Sequence, residues 1–286
     1  MKKYKLKKLM RSIGILLMTL PVFNNVFVYD VNPRALDSVV VAAEDTVKEN
    51  EIVSAGTDIN PELVIPATLD QFPGVPVKRA YLTFDDGPSS NTDAILAILN
   101  AYGVKATFFV VNKTDPANIE RYQKIAAAGH TIGLHSTSHV YKQIYKSADA
   151  FVNDFAANQA YVASVTGVVP TIYRFPGGSN NRVSPLDNSI YENILRAAGV
   201  RYYDWNVSAG DAVRPIAKKN TIVNNVLSGC DGKKGGDVMI LMHDTSEKTT
   251  TVEALPEIIQ GLLARGYVIL PIDTSPTSTT PLIQFE

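Results

Sequence analysis

Two adjacent carboxylates, Asp85 and Asp86, follow a run of apolar and β-branched residues and precede Gly87-Pro88. The run predicts a buried strand, and Gly-Pro predicts a turn directly after it, so both acids are expected at the strand end. Neighbouring like charges are unfavourable unless a cation or a shared proton relieves them. An ordinary acidic surface turn is the alternative interpretation of this segment.

Histidine is scarce in this chain, with four in 286 residues, and two of these, His135 and His139, stand four positions apart. In a helical turn at the end of another predicted strand, this spacing places both imidazoles on one side, where they suit a divalent metal. Asp86 would complete a set of two imidazoles and one carboxylate, with an open position for water. Two solvated loop histidines are the alternative.

Further candidate residues follow other predicted strands. Arg174 precedes Phe-Pro-Gly-Gly and is either a surface cation or the partner of an acid, for which Asp85 is the obvious candidate. The turn at Gly177 exposes backbone N–H groups that can stabilise an oxyanion. His243 is a candidate general acid because only histidine titrates near neutral pH without a large perturbation, whereas His130 is expected to be structural. These residue types together indicate metal-assisted hydrolysis.

The elements that position these residues alternate between strand-like runs and stretches of helical periodicity. Glycine follows most of the helical stretches, as a left-handed C-cap requires. The strand-like runs are 80–84, 106–111, 131–134, 171–175, 200–205, 238–242 and 267–270. Strand–helix alternation predicts parallel βα units, and seven strands indicate an α/β barrel one unit short of eight. In such barrels the chemistry gathers at the C-terminal ends of the strands, where the residues above are predicted to fall.

Composition and charge narrow the class of protein. With 45% hydrophobic and 19% charged residues, the chain can bury a sizeable core. A formal net charge of −1 gives no field that attracts nucleic acid, so no nucleic-acid partner is expected. Cys230 is the only cysteine, which excludes an intramolecular disulfide and fits a bacterial extracellular protein held together by its core.

The two ends of the chain suggest its cellular location and its domain organisation. Six basic residues in the first eleven positions precede the apolar stretch 13–23, a pattern typical of an export signal. The stretch is shorter than the about 20 residues that span a membrane. We therefore predict an exported, extracellular or cell-surface protein that contacts the membrane only through its N-terminal segment and is monomeric by default. The predicted organisation is a signal peptide or membrane anchor at 1–30, a linker at 31–78, a catalytic domain at 79–275 and a C-terminal tail at 276–286.

Four segments, in this order, resemble motifs of the polysaccharide deacetylase (NodB-homology) family of carbohydrate esterases. They are Thr83–Pro88 (TFDDGP), His135–His139 (HSTSH), Arg174–Gly178 (RFPGG) and Leu241–His243 (LMH). The resemblance runs over roughly residues 79 to 272, and the combination of motifs is highly specific. It implies a distorted seven-unit (β/α) barrel that hydrolyses acetyl groups on glycans.

The resemblance also implies roles for individual residues. Asp85 would be the general base that activates the attacking water, Arg174 would orient it, and His243 would protonate the leaving amine. Leu241 would line the pocket for the acetyl methyl group, and the backbone N–H of Gly177 would help to hold the oxyanion. Gly177 stands where many members carry Tyr or Phe, which predicts a more open groove. Three residues would bind a divalent metal, usually zinc in this family: Asp86, His135 and His139.

The remaining family motif departs from its usual pattern. Many members carry Asp-x-x-Asp-Trp after the fifth strand, and the matching stretch here is Ser208–Ala212. Asp211 is retained as a catalytic residue, but Ser208 replaces the first Asp, which tunes the catalytic histidine in some members. A changed pKa for His243 is therefore expected. Ala212 replaces the Trp, which should widen one wall of the acetyl pocket, with Trp205 as a partial substitute on the substrate-binding side.

The expected substrate is N-acetylglucosamine of peptidoglycan, because the chain carries an export signal and lacks disulfides. Chitin oligomers, an exopolysaccharide or an acetylated xylan are alternative substrates. A non-catalytic wall-binding or scaffold protein is an alternative of another class, suggested by Ser208 and Ala212. The intact metal, base and acid residues argue against that alternative and predict an active polysaccharide deacetylase.

Overall fold

The computed structural model describes residues 77–213, 216–233 and 236–285, and the backbone of two short strands near the N-terminus. These strands, Ile15–Thr19 (β1) and Val26–Asp30 (β2), pair antiparallel. The other residues of the predicted signal or anchor, and the predicted linker up to residue 76, lie outside the described residues. Among the described residues, no helix has the length and hydropathy needed to cross a membrane.

The described part of the domain alternates strands and helices from residue 78 onward. The strands are Lys78–Asp85 (β3), Thr107–Val111 (β4), Thr131–Ser136 (β5), Ile172–Tyr173 (β6), Arg201–Tyr202 (β7), Val207–Ser208 (β8), Val238–His243 (β9) and Tyr267–Ile269 (β10). The helices are Thr92–Ala101 (α1), Pro116–Ala127 (α2), Tyr141–Ile144 (α3), Ala148–Thr166 (α4), Asn188–Ala197 (α5), Lys219–Asp231 (α6) and Thr249–Ala264 (α7).

The strands of the domain form one parallel sheet in the order β7-β6-β5-β4-β3-β9-β8, with β10 added beside β3. β3 is central: β9 pairs along one of its sides, while β10 pairs with its beginning and β4 with its end on the other side. This half-barrel of parallel strands and helices confirms the predicted distorted (β/α) barrel. All seven predicted strands are present, and the sequence pattern missed the two-residue strand β8 and the short helix α3.

Helix boundaries in the domain follow their capping residues. Asp115 precedes α2 and accepts a hydrogen bond from the N–H of Asn118, and Pro116 occupies the first turn, where no amide hydrogen is needed. α4 begins after Ser147, whose side chain accepts from the N–H of Ala150. It ends at Gly167 with φ 73°, a left-handed conformation that glycine adopts without steric cost.

The core packs the sheet against the helices and supports the strand ends that carry the candidate site. Phe84 and Phe108 stack at 5.2 Å between their ring centroids on the central strands β3 and β4. A second aromatic cluster joins Phe151 of α4 to Tyr191 of α5 at 4.9 Å and to Phe175 at 5.7 Å. Each such buried side chain contributes roughly 1.5–3 kcal/mol to stability. This cluster fixes the loop that follows β6.

The segment predicted as a C-terminal tail packs against the barrel as far as Phe285. The N–H of Asp204 donates to the carbonyl of Ile283 at 2.7 Å, and the N–H of Phe285 donates to the Asp204 carboxylate at 2.8 Å. The Phe285 ring lies edge-on to Trp205 at 5.0 Å. The apolar residues near the end of the chain supply this packing. The Ser/Thr/Pro-rich stretch before them led to the prediction of a tail. The segment therefore supports the wall that carries Trp205.

Candidate active site

Three predicted metal ligands come together at the C-terminal ends of β3 and β5. Oδ1 of Asp86 lies 3.4 Å from Nε2 of His135 and 3.1 Å from Nε2 of His139. This oxygen is buried and has no hydrogen-bond partner among the described residues. Ligand atoms of a tetrahedral zinc ion with bonds of about 2.0–2.1 Å lie about 3.3 Å apart. The three side chains therefore fit a divalent metal ion.

The backbone reaches this arrangement in a way that the sequence spacing did not predict. The expected helical turn at His135–His139 is wrong: His135 belongs to β5, and His139 lies in a loop with φ 53°. Ser136 shapes the loop because its hydroxyl accepts from the N–H groups of Ser138 and His139 at 3.0 and 2.9 Å. Asp86 also has a positive φ, of 72°. Such strained conformations of non-glycine residues concentrate at functional sites.

The tautomer of His135 follows from its surroundings. Its Nδ1 lies 2.7 Å from the carbonyl oxygen of Arg174. A carbonyl only accepts hydrogen bonds, so Nδ1 carries the proton and Nε2 presents a lone pair toward Asp86 and His139. Burial lowers the pKa of His135 to about 3, although the charge of Asp86 acts in the opposite direction. The imidazole is therefore neutral, as a metal ligand must be.

Asp85 lies beside these ligands and is paired with a buried arginine, as predicted. Nη1 of Arg174 donates to Oδ1 of Asp85 at 2.9 Å and to the hydroxyl of Thr83 at 2.6 Å. The remaining donors of Arg174 reach the carbonyls of Tyr203 and Asp204. Burial raises the pKa of Asp85, and the charge of Arg174 opposes that rise. The guanidinium thus fixes one carboxylate oxygen and leaves the other for the cavity.

His243 stands next to Asp85 across the β3–β9 pair and is held by Asp211. Its Nδ1 lies 2.8 Å from Oδ1 of Asp211, and its backbone N–H donates to Oδ2 at 2.9 Å. Burial by itself lowers the pKa of His243, but the hydrogen bond and charge of Asp211, with the charges of Asp85 and Asp86, outweigh it and raise the pKa. Asp211 therefore both orients the imidazole and favours its protonated form.

Two of the departures from the family pattern can be followed in the structure, at Ser208 and at Gly177. Ser208 is exposed, and its hydroxyl accepts from the N–H of Gly210, while Asp211 supplies the carboxylate partner of His243. The space beside Gly177 is filled by the ring of Tyr141, whose Cε2 would lie 3.0 Å from a Cβ placed on Gly177. The groove at this position is therefore narrower than the missing side chain suggested.

All ten predicted site residues belong to this one region, and most of them line a single cavity of about 560 Å³. Arg174 and Asp211 lie behind the cavity wall and act through Asp85 and His243. His130 is buried elsewhere and accepts from the N–H of Ala106. The cavity is lined by Asp85, Asp86, His135, His139, Tyr141, Gly177, Trp205, Ala212, Leu241, His243, Thr245, Glu247 and Lys248.

Asp244, to which the sequence analysis gave no role, stabilises the loop after β3 that carries Asp86. Asp244 is fully buried, and its N–H donates to the carbonyl of Asp85 at 2.8 Å. Its carboxylate accepts from the hydroxyls of Ser89 at 2.8 Å and Thr92 at 2.5 Å. These contacts tie the loop after β3 to the end of β9. The only sequence signal is the position of Asp244 directly after His243.

An arginine-paired carboxylate, a histidine–aspartate pair and a metal-ligand set at the mouth of a (β/α) barrel define a barrel hydrolase. The sequence profile described as polysaccharide deacetylase matches residues 73–203. A peptidoglycan-N-acetylglucosamine deacetylase of Bacillus cereus is 31% identical over 80% of this chain and 82% of its own length. The chain belongs to the polysaccharide deacetylase family and is an enzyme of that family.

Two further relatives extend the comparison. The crystal structure of the catalytic domain of peptidoglycan N-acetylglucosamine deacetylase from Eubacterium rectale is 39% identical, with a TM-score of 0.67, and the match covers 73% of this chain and 93% of that one. A bifunctional xylanase/deacetylase of Pseudobutyrivibrio xylanivorans is 34% identical over 68% of this chain and 30% of its own length. The structural likeness agrees with the barrel described above.

Replacing Asp211 with asparagine is expected to shift the alkaline limb of the pH–rate profile to lower pH. The Asp211 carboxylate raises the pKa of His243, so its loss lets burial lower that pKa. A histidine that acts as an acid must be protonated, and the variant loses the proton at lower pH than the native enzyme does. Profiles of kcat against pH for both proteins measure the shift. An alkaline limb that stays in place would contradict the assignment of His243 as the acid.

Proposed function

We propose that this enzyme removes acetyl groups from N-acetylglucosamine residues of peptidoglycan in a metal-dependent reaction. The observation that supports this most strongly is the convergence of base, acid and metal-ligand residues in one cavity. The names of two similar proteins, from Bacillus cereus and Eubacterium rectale, give peptidoglycan N-acetylglucosamine as their target. Cavity chemistry and similarity thus support the same reaction class.

The protein residues account for the proton transfers of amide hydrolysis. Asp85 takes a proton from the attacking water, and His243 donates a proton to the nitrogen as the C–N bond breaks, which yields acetate and a free amine. The N–H of Gly177 stabilises the oxyanion, while Leu241 and Trp205 line the pocket around the acetyl group. When bound, a divalent metal, for which we propose zinc, would polarise the acetyl carbonyl and lower the pKa of water. The residues that would hold it are Asp86, His135 and His139.

Deacetylation of acetylated xylan is a second candidate, favoured by the similarity to the bifunctional xylanase/deacetylase. The same residues serve ester hydrolysis, in which His243 protonates an alkoxide in place of an amine. A purely non-catalytic role in binding the cell wall receives less support. The hydrogen bonds that proton transfer requires are all present, from Arg174 to Asp85 and between Asp211 and His243. We further propose export to the cell surface, from the basic and apolar residues at the N-terminus, and a monomeric state.

Peptidoglycan is expected to release acetate faster than chitin oligomers or acetylated xylan do. The full-length protein, stripped of metal and reloaded with zinc, is incubated with each polymer, and acetate and free amines are measured. Asp85→Asn serves as the control for background hydrolysis. Faster release from xylan, without new amines, would transfer the proposal to an O-acetyl substrate. No release from any polymer would contradict the deacetylase proposal and favour a binding role.

A further inference from the structure

Tyr141 occupies a position in the cavity that none of the recognised motifs accounts for. It begins the short helix α3, two residues after the metal-ligand candidate His139. Its ring packs edge-on against His139 at 5.4 Å and against Tyr145 at 6.2 Å between ring centroids. The side chain is half-buried and lines the cavity together with Asp85 and His243. An aromatic ring thus forms part of the wall beside the reacting groups.

The ring of Tyr141 takes up the space into which a side chain at position 177 would point. A Cβ on Gly177 would lie 3.0 Å from Cε2 and 3.2 Å from the hydroxyl oxygen of Tyr141. Gly177 also has φ 82°, a conformation that is strained for residues with a side chain. Glycine at 177 and tyrosine at 141 are therefore complementary: the aromatic surface comes from α3, and Gly177 beside it is an exposed residue.

The hydroxyl of Tyr141 differs from that of its neighbour Tyr145. Tyr145 is fully buried and donates to the carbonyl of Pro176 at 2.8 Å. No hydrogen bond joins the Tyr141 hydroxyl to a described residue, and Tyr141 is one of the residues that line the cavity. A phenol is protonated at neutral pH and donates one hydrogen bond. A tyrosine in a cavity wall, with its ring packed and its hydroxyl without a protein partner, is suited to bind a ligand that has both polar and apolar groups, such as a sugar.

We propose that Tyr141 is a substrate-contacting, specificity-determining residue of this enzyme. Its ring forms the wall against which the acetylated sugar packs, and its hydroxyl donates a hydrogen bond to an oxygen of that sugar. The inference rests on the proposed function, because it takes an N-acetylated sugar as the occupant of the cavity. It assigns to α3 the aromatic wall that the sequence motif at Arg174–Gly178 lacks.

Two substitutions separate the roles of the ring and the hydroxyl. With N-acetylglucosamine oligomers as substrate, Tyr141→Phe is expected to lower kcat/KM about 3- to 10-fold, which corresponds to one hydrogen bond. Tyr141→Ala removes the ring as well and is expected to lower kcat/KM about 30- to 100-fold. Gln143→Ala is the matched control, since Gln143 is an exposed residue on the same helix. The same oligomers are titrated into Asp85→Asn with and without each substitution, so that binding is measured without turnover.

Zinc affinity and thermal unfolding of each variant show whether Tyr141 acts on the sugar or through its neighbours. The proposal requires unchanged zinc affinity and weaker oligomer binding. A parallel loss of zinc affinity would overturn it, because Tyr141 would then act by positioning His139. Native kcat/KM and oligomer binding in Tyr141→Phe would overturn the hydrogen bond, and the same result for Tyr141→Ala would overturn the wall. Inactivity of the native enzyme on every glycan bears on the proposed function, while oligomer binding to Asp85→Asn still tests Tyr141.

Discussion

Replacing Asp85 with asparagine is expected to lower kcat about 10²- to 10⁴-fold, the usual contribution of a positioned general base. Asparagine keeps the shape of the side chain and an oxygen that accepts from Arg174, so the hydrogen bond at 2.9 Å can persist. It lacks the basic oxygen that faces the cavity and takes the proton from water. Acetate release at saturating substrate, compared between the zinc-loaded native and variant proteins, measures the loss.

The same variant distinguishes chemistry from folding. Asp85 is outside the metal-ligand group of Asp86, His135 and His139, so zinc affinity is expected to stay within a few-fold of the native value. Glu253→Gln, the same kind of change at an exposed position of α7, is the matched control and should be fully active. Activity of Asp85→Asn within tenfold of the native enzyme would show that another group is the base.

The charges around the cavity explain why a cation belongs at this site. Arg174 balances Asp85 at 2.9 Å, and His243, with its raised pKa, can balance Asp211. Asp86 has no arginine or lysine partner among the described residues; its buried Oδ1 faces Nε2 of both His135 and His139 and makes no hydrogen bond there. A buried carboxylate oxygen without a hydrogen bond is unfavourable unless a cation joins it. This deficit supports the metal proposal independently of the sequence motif.

The barrel could be predicted because its signals are local. β3, β4 and β9 each contain a stretch of apolar and β-branched residues, and Ser147 and Gly167 cap the two ends of Ala148–Thr166, so local sequence marks these elements. Their parallel order then brings the strand ends together at one edge, which placed Asp85, His135 and His243 correctly. The alternation of these strands and helices is therefore enough to predict the barrel and the edge of the sheet that carries the site.

Other features could not be predicted, because they depend on contacts between distant residues or on single backbone angles. β8 has two residues and therefore shows no periodicity. The loop at His139 follows from one left-handed residue and the hydroxyl of Ser136, where the i, i+4 spacing suggested a helical turn. Tyr141 meets Gly177 only in the folded chain, and the motif that contains Gly177 does not reveal what fills the space beside it. Motif matching cannot detect a side chain on one element that fills the space left by a missing motif residue on another element.

Replacing His139 with alanine is expected to weaken zinc binding at least about 100-fold and to reduce acetate release by about 10³-fold at a fixed, limiting zinc concentration. His139 supplies one of three ligand atoms in the group and lies 3.1 Å from Oδ1 of Asp86. Alanine leaves two protein ligands, which is too few to hold the ion against solvent. Competition titration with a chromogenic chelator measures the affinity, and acetate release at the same free zinc concentration measures the activity.

Val140→Ala is the matched control, because Val140 adjoins His139 and is 44% exposed. It should retain native zinc affinity, and chelation followed by zinc addition should abolish and then restore its activity as in the native protein. Full activity of the chelated native protein would contradict a metal-dependent reaction. Native zinc affinity in His139→Ala would instead show that the ion binds elsewhere. His139 adopts a strained φ of 53°. If His139→Ala loses metal binding and activity but the metal-free protein keeps its unfolding temperature, the strained conformation serves the site and not the stability of the fold.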